Sequence, residues 1–319
     1  MTQQSSYPWH ICGVGAIGGL WASSFAANGV PVCLLLKDEE QLQDYHNIGG
    51  IDLQQDHQVF SASPKAYAIS KKRSDTRDIK HLLVCCKSYS TVDAVLPWRD
   101  YLAKDAIIVL LQNGMGSAQQ LQLELPAANI YCATSTDGAW RKGSFDIVRA
   151  GHGETLIGSY SDHLNGAEIP HAIHHLLTGL NQAPQLQVKW HADIRSPLWH
   201  KLAINSAINA LTAIYQCHNG DLIDHPIAWP RLQQLCKETQ DVMARVGIVP
   251  MGQGLLHTVR RVLTQTAANK SSMLQDCIAG RTTEIESING YIIQQGALYH
   301  LPCAAHHQVC EDLRRICAS

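Results

Sequence analysis

A glycine-rich turn near the N-terminus constrains the fold of this chain more than any other feature. The apolar run at 9–12 predicts a strand, and residues 16–28 have the pattern of a helix that Gly29 ends. Between them the chain carries a G-x-G-x-x-G sequence, made of Gly13, Val14, Gly15, Ala16, Ile17 and Gly18. In this context the first glycine permits a tight turn, the second lets backbone approach a pyrophosphate, and the third lets helix and strand pack closely. The turn therefore predicts dinucleotide binding, against the alternative of a glycine-rich turn without a ligand.

The rest of the first half alternates short apolar runs with helical patterns. Strands are predicted at 32–36, 81–86, 106–111, 129–134, 145–148, 154–157 and 186–190, and a further helix at 92–102. Strand–helix alternation is typical of a doubly wound parallel sheet. Glycines around the later strands suggest that the sheet is extended by antiparallel strands. This half is therefore expected to be a Rossmann-type domain of the α/β class.

Helical periodicity dominates from Pro197 onward, and strand signals are almost absent. Helices are predicted at 197–215, 227–247, 252–267, 271–297 and 304–317. The chain is thus expected to comprise an NADP-binding Rossmann-type domain at 1–192 and an all-α substrate and catalytic domain at 193–319. Ligands of two-domain proteins usually bind in the cleft between the domains, and the same is expected here.

Composition excludes several classes of protein. The 319 residues carry a net charge of −2, whereas a nucleic-acid binder usually shows a strong basic excess. No apolar run approaches the roughly 20 residues of a membrane span, so no membrane partner is expected. The polar N-terminus lacks the apolar region of a secretory signal, and the eleven cysteines include several in apolar runs and form no C-x-x-C pair. A cytoplasmic protein with reduced thiols is expected.

The residues after the second predicted strand bear on the choice of cofactor. An acidic residue at this position usually binds the ribose hydroxyl of NAD, whereas a cation suits the 2′-phosphate of NADP. Lys37 stands directly after the apolar run and Asp38 follows it. Charge complementarity favours NADP(H), Asp38 is the argument for NAD, and a solvated loop lysine is the third interpretation.

Three polar residues recur along one stripe of an otherwise apolar helix. Lys201, Asn205 and Asn209 are four residues apart, and each step advances about 40° around the helix. Either this stripe is a solvated face, or the three side chains bind a polar ligand; the apolar neighbours favour the ligand. Burial of Lys201 on such a helix is expected to lower its pKa.

Other candidates follow strands or begin a helix. Asn113 opens an Asn-Gly turn after a strand and Lys87 follows another, where α/β sheets bind ligands. Taken alone, the Asn113 motif is better explained as an ordinary turn, and Lys87 is explained equally well as a surface lysine. One of Ser271 and Ser272 is explained as a helix cap, which leaves the other for a ligand. Glu284 is expected on the same helix, paired in the simplest interpretation with Arg281.

A metal site is not expected. The residues Cys303, His306 or His307, and Cys310 share a helical face at ligand-like spacing, but structural zinc needs a fourth ligand and usually a closed knuckle.

Taken together, the motifs resemble the ketopantoate reductase (2-dehydropantoate 2-reductase) family over nearly the whole chain. The resemblance rests on motifs in order: GVGAIG at 13–18, a basic residue at 37, Lys87 after an apolar strand, QNGMG at 112–116, WHKLAINSAINALTA at 199–213, CHNG at 217–220, SSMLQD at 271–276 and TEIESINGYI at 283–292. The chain departs from the family pattern in carrying Lys37 where arginine is usual and Ala210 where proline is common.

The resemblance implies a reaction and a set of roles. The family reduces 2-dehydropantoate to (R)-pantoate with NADPH, on the route to pantothenate and coenzyme A. By resemblance Lys201 would be the proton donor, and the 2-oxo acid would be bound by Asn113, Asn205, Asn209, Asn219 and Ser272. The cofactor would contact the glycine turn, Lys37, Lys87, Asn113, Ala139 and Glu284. A homodimer is compatible with the sequence. The alternatives are a reductase of another branched 2-oxo acid and a non-catalytic NADP(H)-binding sensor.

Overall fold

The structure is a computed structural model that describes residues 7–69, 79–160, 169–180 and 183–317. The N-terminal residues 1–6, on which the expected lack of a leader depends, lie outside these ranges. The chain divides into a sheet unit, residues 1–112 and 117–194, and a helical unit, residues 113–116 and 195–319. The two units divide after residue 194, two residues beyond the boundary expected from the sequence, which was after residue 192. The short turn 113–116 belongs to the helical unit, which the sequence did not indicate.

The sheet unit contains two sheets. Its strands are β1 (Trp9–Cys12), β2 (Val32–Leu36), β3 (Ile51–Gln55), β4 (Gln58–Ala62), β5 (Lys65–Ala68), β6 (Ile79–Val84), β7 (Leu102–Leu111), β8 (Asn129–Ser135), β9 (Gly138–Gly143), β10 (Asp146–Gly151), β11 (Glu154–Ser159) and β12 (Gln187–Trp190). The larger sheet has the order β12-β11-β8-β7-β6-β1-β2-β5. All its pairs are parallel except β8 with β11, which confirms the predicted doubly wound sheet with an antiparallel extension. The strand order reverses at β1 and β6, where such sheets bind ligands.

The smaller sheet was not predicted. It has the order β4-β3-β10-β9, and it takes up the predicted strand at 145–148, which was expected to extend the main sheet. Helix α1 (Ala16–Ala27) packs against strands of both sheets, which explains why its sequence is apolar around almost its whole circumference. A methyl group on Gly19 would lie 2.7 Å from Ile147 of β10, so this close packing requires glycine. Trp21 and Phe25 of the same helix are fully buried.

The remaining helices of the sheet unit are short. They are α2 (Glu39–Ile48), α3 (Thr91–Val95), α4 (Ser117–Glu124) and α5 (His171–Gly179), with 3₁₀ turns at Ser88–Ser90 and Leu96–Tyr101. The helix predicted at 92–102 is therefore wrong in part, because Pro97 stands where the α-helix gives way to the 3₁₀ turn.

The helical unit is built around α6. Its helices are α6 (Arg195–Tyr215), α7 (Ala228–Arg245), α8 (Leu255–Gln265), α9 (Ser272–Ile278), α10 (Tyr291–Leu298) and α11 (Ala304–Cys317), with a 3₁₀ turn at Gly220–Leu222 and a π-helical turn at Glu286–Gly290. The single helix predicted at 271–297 is wrong. Gly280 adopts a left-handed conformation, with a φ of 62°, and ends α9, so Glu284 lies beyond that helix.

Candidate active site

The glycine turn lies between β1 and α1, at the point where the strand order reverses. Gly13 has a φ of 88°, which an L side chain rarely adopts, and a Cβ there would lie 2.3 Å from the backbone nitrogen of Cys86. A Cβ on Gly18 would lie 2.2 Å from the carbonyl oxygen of Gly13. These two glycines are therefore required by the protein's own packing.

Gly15 is different, because neither its backbone conformation nor the packing around it requires a glycine. It precedes the first turn of α1 with a φ of −90° and a ψ of −154°, which other residues adopt readily. A Cβ built on Gly15 would meet nothing within 4 Å among the described residues. The open space at the N-terminus of a helix is suited to an anion that approaches the backbone closely. In the same turn, Val14 is buried and Ile17 packs against the core.

The two residues after β2 have separate functions in the structure. Asp38 caps α2, since the Gln41 N–H donates to Asp38 Oδ1 at 2.9 Å. The Lys37 side chain is 88% exposed, and its Nζ lies 3.7 Å from Asp38 Oδ2. The carboxylate that argued for NAD is thus engaged in capping, while the lysine ammonium faces solvent.

Lys87 and Ala139 occupy other parts of the sheet unit. Lys87 follows β6 by three residues rather than ending the strand, and its carbonyl accepts from Ser90 N–H and Ser90 Oγ, each at 2.9 Å. Ala139 lies in β9 opposite Arg149 and packs against the core of the unit.

The polar stripe on α6 is partly buried rather than a solvated face. Lys201 and Asn205 are half-buried, and Asn209 is 6% exposed. Burial lowers the pKa of Lys201 to about 8, and the nearby Glu284 carboxylate raises it again in part. The direction agrees with the sequence-based expectation. A lysine with this pKa holds a proton at neutral pH and releases it more readily than an exposed lysine does.

Glu284 is buried, and its surroundings differ from those predicted. Arg281 does not pair with it; the guanidinium binds Asp276 instead, with Nη2 3.0 Å from Asp276 Oδ1. The interpretation of Glu284 as the (i, i+3) partner of Arg281 is therefore wrong. With 5% of its surface exposed, Glu284 acts electrostatically on Lys201.

The turn that begins at Asn113 is fixed to the segment after Glu284. The Met115 N–H donates to the Ser287 carbonyl at 2.8 Å, and Ser287 Oγ donates to the Glu284 carbonyl at 3.0 Å. A Cβ on Gly114 would lie 2.5 Å from Ser287 Oγ, so glycine permits the close approach. The helical unit thus holds Asn113 and Glu284 on neighbouring, directly bonded segments. Ser287 was missed by sequence reasoning, because nothing in its local pattern indicates a long-range contact.

Asn219 and Ser272 lie on segments tied to α6 or α8. Asn219 is buried, its Nδ2 donates to Thr266 Oγ1 at 2.9 Å, and no group among the described residues hydrogen-bonds to its Oδ1. Ser271 is the cap of α9, accepting from the Leu274 N–H at 3.1 Å and from Thr212 Oγ1 of α6 at 2.7 Å. Ser272 is exposed beside it. Ser271 is therefore the cap, and Ser272 stays a predicted substrate ligand.

One of the possible zinc ligands, His306, has other partners. His306 is fully buried, with Nε2 3.0 Å from Thr239 Oγ1 and Nδ1 3.1 Å from Asn289 Nδ2. Burial lowers the pKa of His306 to about 4, so this ring is neutral. Within the described ranges no three His, Cys, Asp or Glu side chains form a group that could hold a metal ion. The same ranges contain no helix that is long and apolar enough to cross a membrane.

Sequence relatives match both units. The chain matches the family described as "Ketopantoate reductase PanE/ApbA" over residues 9–162 and "Ketopantoate reductase PanE/ApbA C terminal" over residues 193–316. It is 32% identical over 306 residues to the 2-dehydropantoate 2-reductase of Shigella flexneri, covering 96% of this chain and 93% of that protein. Against the Vibrio cholerae enzyme of the same name the identity is 30% over 312 residues, with 96% of each covered.

Solved structures agree with this assignment. A PanE/ApbA family ketopantoate reductase from Ralstonia eutropha superposes with a TM-score of 0.85 at 25% identity, covering 98% of this chain and 99% of that one. D-mandelate dehydrogenase with NADH and anilino(oxo)acetate superposes with a TM-score of 0.86 at 19% identity and the same coverage, which shows a shared fold. From its sequence relatives and its fold, the chain belongs to the ketopantoate reductase family of oxidoreductases.

Proposed function

We propose that this chain reduces the C2 ketone of 2-dehydropantoate to (R)-pantoate with NADPH, a step in the formation of pantothenate and coenzyme A. The observation that carries the proposal is the Lys201 ammonium, which is half-buried on α6, has a pKa of about 8 and lies near Glu284. Reduction of a ketone creates an alkoxide, which needs a proton donor of this kind. Membership of the family supports the choice of substrate.

The glycine turn fits a dinucleotide. The open space at Gly15 and the N-terminus of α1 suit a pyrophosphate, and the exposed Lys37 suits a 2′-phosphate while Asp38 is engaged as a cap. Lys87, Asn113, Ala139 and Glu284 are proposed as further cofactor contacts by resemblance to the family. When bound, NADPH supplies the hydride that is added to the ketone carbon.

The chain's own residues then bind, orient and protonate the substrate. Lys201 donates a hydrogen bond to the ketone oxygen through Nζ and transfers a proton to it as negative charge develops. The amides of Asn205, Asn209 and Asn219 and the hydroxyl of Ser272 fix the carboxylate and hydroxyl groups, with Asn113 as an additional contact. Holding the ketone in one orientation removes much of the entropic part of the barrier.

Oxidation of NADPH in the presence of the substrate tests the proposal. The loss of NADPH absorbance is followed with 2-dehydropantoate and, separately, with 2-oxoisovalerate, which lacks the hydroxymethyl group. Clear preference for 2-dehydropantoate is expected, because site amides left unpaired by the smaller acid cost binding energy. Equal turnover of both acids would indicate a broader 2-oxo acid reductase. Binding of NADPH without turnover of either would indicate a sensor.

Replacement of Lys37 should alter the choice of cofactor. A hydrogen bond to a charged group contributes about 1.5–3 kcal/mol, so Lys37→Ala should raise the KM for NADPH by roughly ten- to a hundredfold. The KM for NADH should barely change, because NADH has no 2′-phosphate. Asp38→Asn is the control, since asparagine retains the cap of α2. An equal loss for both cofactors would remove Lys37 from the 2′-phosphate site.

The dependence of activity on pH should reflect the titration of Lys201. The ammonium is the acid, so kcat/KM should fall as the pH rises through about 8, the pKa of this group in the free protein. Glu284 raises that pKa, so Glu284→Gln should move the descending limb to lower pH. The control is Glu286→Gln, which changes an exposed carboxylate paired with Arg314. A limb that stays in place in Glu284→Gln would contradict the assignment.

A further inference from the structure

Two cysteines meet beneath the glycine turn, on neighbouring strands of the main sheet. Cys12 is the last residue of β1 and lies opposite Val84 of β6, and its carbonyl accepts from the Cys85 N–H at 2.8 Å. The Cys86 backbone contacts the residue after Cys12, because its Cα lies 2.7 Å from the position of a Cβ on Gly13. The two thiols are close enough for each to affect the ionisation of the other, and Cys12 Sγ also donates to the Ala94 carbonyl at 3.5 Å. They are thus adjacent in space although 74 residues apart in sequence.

The surroundings of Cys86 favour its thiolate. Gln112 Nε2 lies 3.6 Å from Cys86 Sγ and also donates to Thr91 Oγ1 at 2.6 Å. The side chain of the neighbouring Cys12, together with those of Ser90 and Thr91, lowers the pKa of Cys86, while burial opposes the shift. The proximity of Cys86 and burial raise the pKa of Cys12 well above its ordinary value.

The two thiols therefore have unequal roles. Cys86 is partly exposed and loses its proton first, whereas Cys12 is buried and remains a thiol. A partly exposed thiol that loses its proton readily, with a second thiol beside it, is the arrangement found at peroxide-sensitive cysteines. Cys85, which precedes Cys86 in the sequence, is not part of this arrangement. Its Cβ is directed toward α1 and lies 3.3 Å from a Cβ built on Gly18.

We propose that Cys86 and Cys12 form a peroxide-sensitive dithiol, with Cys86 as the reacting residue and Cys12 as the resolving one. The Cys86 thiolate attacks one oxygen of hydrogen peroxide, the O–O bond breaks, and Cys86 becomes a sulfenic acid with release of hydroxide. The Cys12 sulfur then attacks the Cys86 sulfur and its proton leaves with the sulfenic hydroxyl as water. A disulfide joins β1 to the segment after β6, and peroxide is reduced to water.

The disulfide should also affect the turn above it. Drawing the two sulfur atoms to bonding distance shifts the Cys86 backbone, which is already in contact with Gly13. If the turn binds NADPH, as the proposed function requires, the oxidised protein should bind it at least about tenfold more weakly, a loss of about 1.4 kcal/mol. Reduction with dithiothreitol should restore the affinity.

The test follows the purified full chain through treatment with hydrogen peroxide. Peptide mass spectrometry should find the Cys12 and Cys86 peptides joined, with loss of two hydrogens, in the wild type and in Cys85→Ser. Cys12→Ser should instead accumulate a sulfenic acid at Cys86 that dimedone traps, and Cys86→Ser should form neither product. The proposal is overturned if Cys86 stays reduced while other cysteines oxidise, or if it pairs with Cys85 instead.

Nucleotide affinity is measured on the same samples by calorimetry. A disulfide with weaker NADPH binding supports both steps, and a disulfide with unchanged NADPH binding overturns the effect on the turn. If the reduced protein binds no NADPH at all, the proposed function fails, whereas the dithiol is still judged by the peptide masses alone.

Discussion

Lys201→Ala should lower turnover of 2-dehydropantoate by about 10²–10⁴, the usual contribution of a general acid. The alkoxide formed by hydride addition would then lack its donor, and water cannot replace an ammonium that is already positioned and partly desolvated. Affinity for NADPH should be close to that of the wild type, because the glycine turn is unchanged. Steady-state kinetics and NADPH titration on the same preparation measure both quantities.

Two further variants separate chemistry from structure. Lys201→Arg retains the positive charge but should remain inactive, because a guanidinium does not release its proton at working pH. Lys237→Ala removes a lysine from an exposed position on α7, where it pairs with Asp241, and should have wild-type turnover. If Lys201→Ala retains more than about a tenth of the activity, against an expected loss of at least roughly a hundredfold, the acid is another group and Glu284 is the next candidate.

The main sheet could be predicted because its strands are continuous apolar runs. β1 and β2 have the predicted bounds, since strands buried on both faces leave little ambiguity in the pattern. The smaller sheet could not be predicted in the same way. Its strand β3, Ile-Asp-Leu-Gln-Gln, and its partner β4 are short and half polar, and the pairing of β3 with β10 joins residues about ninety apart. The one sequence signal for the smaller sheet is α1, whose apolar residues surround almost the whole helix and so indicate that it is covered on both sides.

The part of the candidate site that lies on a single helix could be predicted from the sequence. Lys201, Asn205 and Asn209 follow from helical spacing alone, and their partial burial agrees with it. The surroundings of Glu284 could not be predicted, because the predicted long helix concealed the end of α9 at Gly280. The bond between Met115 and Ser287 joins residues 172 positions apart, so no local pattern indicates it.

The glycine turn offers a contrast between two substitutions, and the first is expected to destabilise the protein strongly. In Gly13→Ala the new Cβ would lie 2.3 Å from the Cys86 backbone nitrogen at a φ of 88°. Strained backbone and overpacking each cost about 1–3 kcal/mol, so the free energy of unfolding should fall by roughly 2–6 kcal/mol. Denaturant unfolding without nucleotide measures this loss. A variant as stable as the wild type would show that the turn relaxes around the methyl group.

Gly15→Ala should have the opposite signature. Its backbone conformation is ordinary and its Cβ would meet none of the described residues within 4 Å, so stability without nucleotide should be unchanged or higher by about 0.4–1 kcal/mol. The methyl group occupies the space proposed for the pyrophosphate, however, so NADPH binding should be lost. At a concentration a hundred times its Kd, NADPH should add about 2.7 kcal/mol to the unfolding free energy of the wild type and almost nothing to that of this variant. If Gly15→Ala gains as much from NADPH as the wild type does, the pyrophosphate does not bind at this turn.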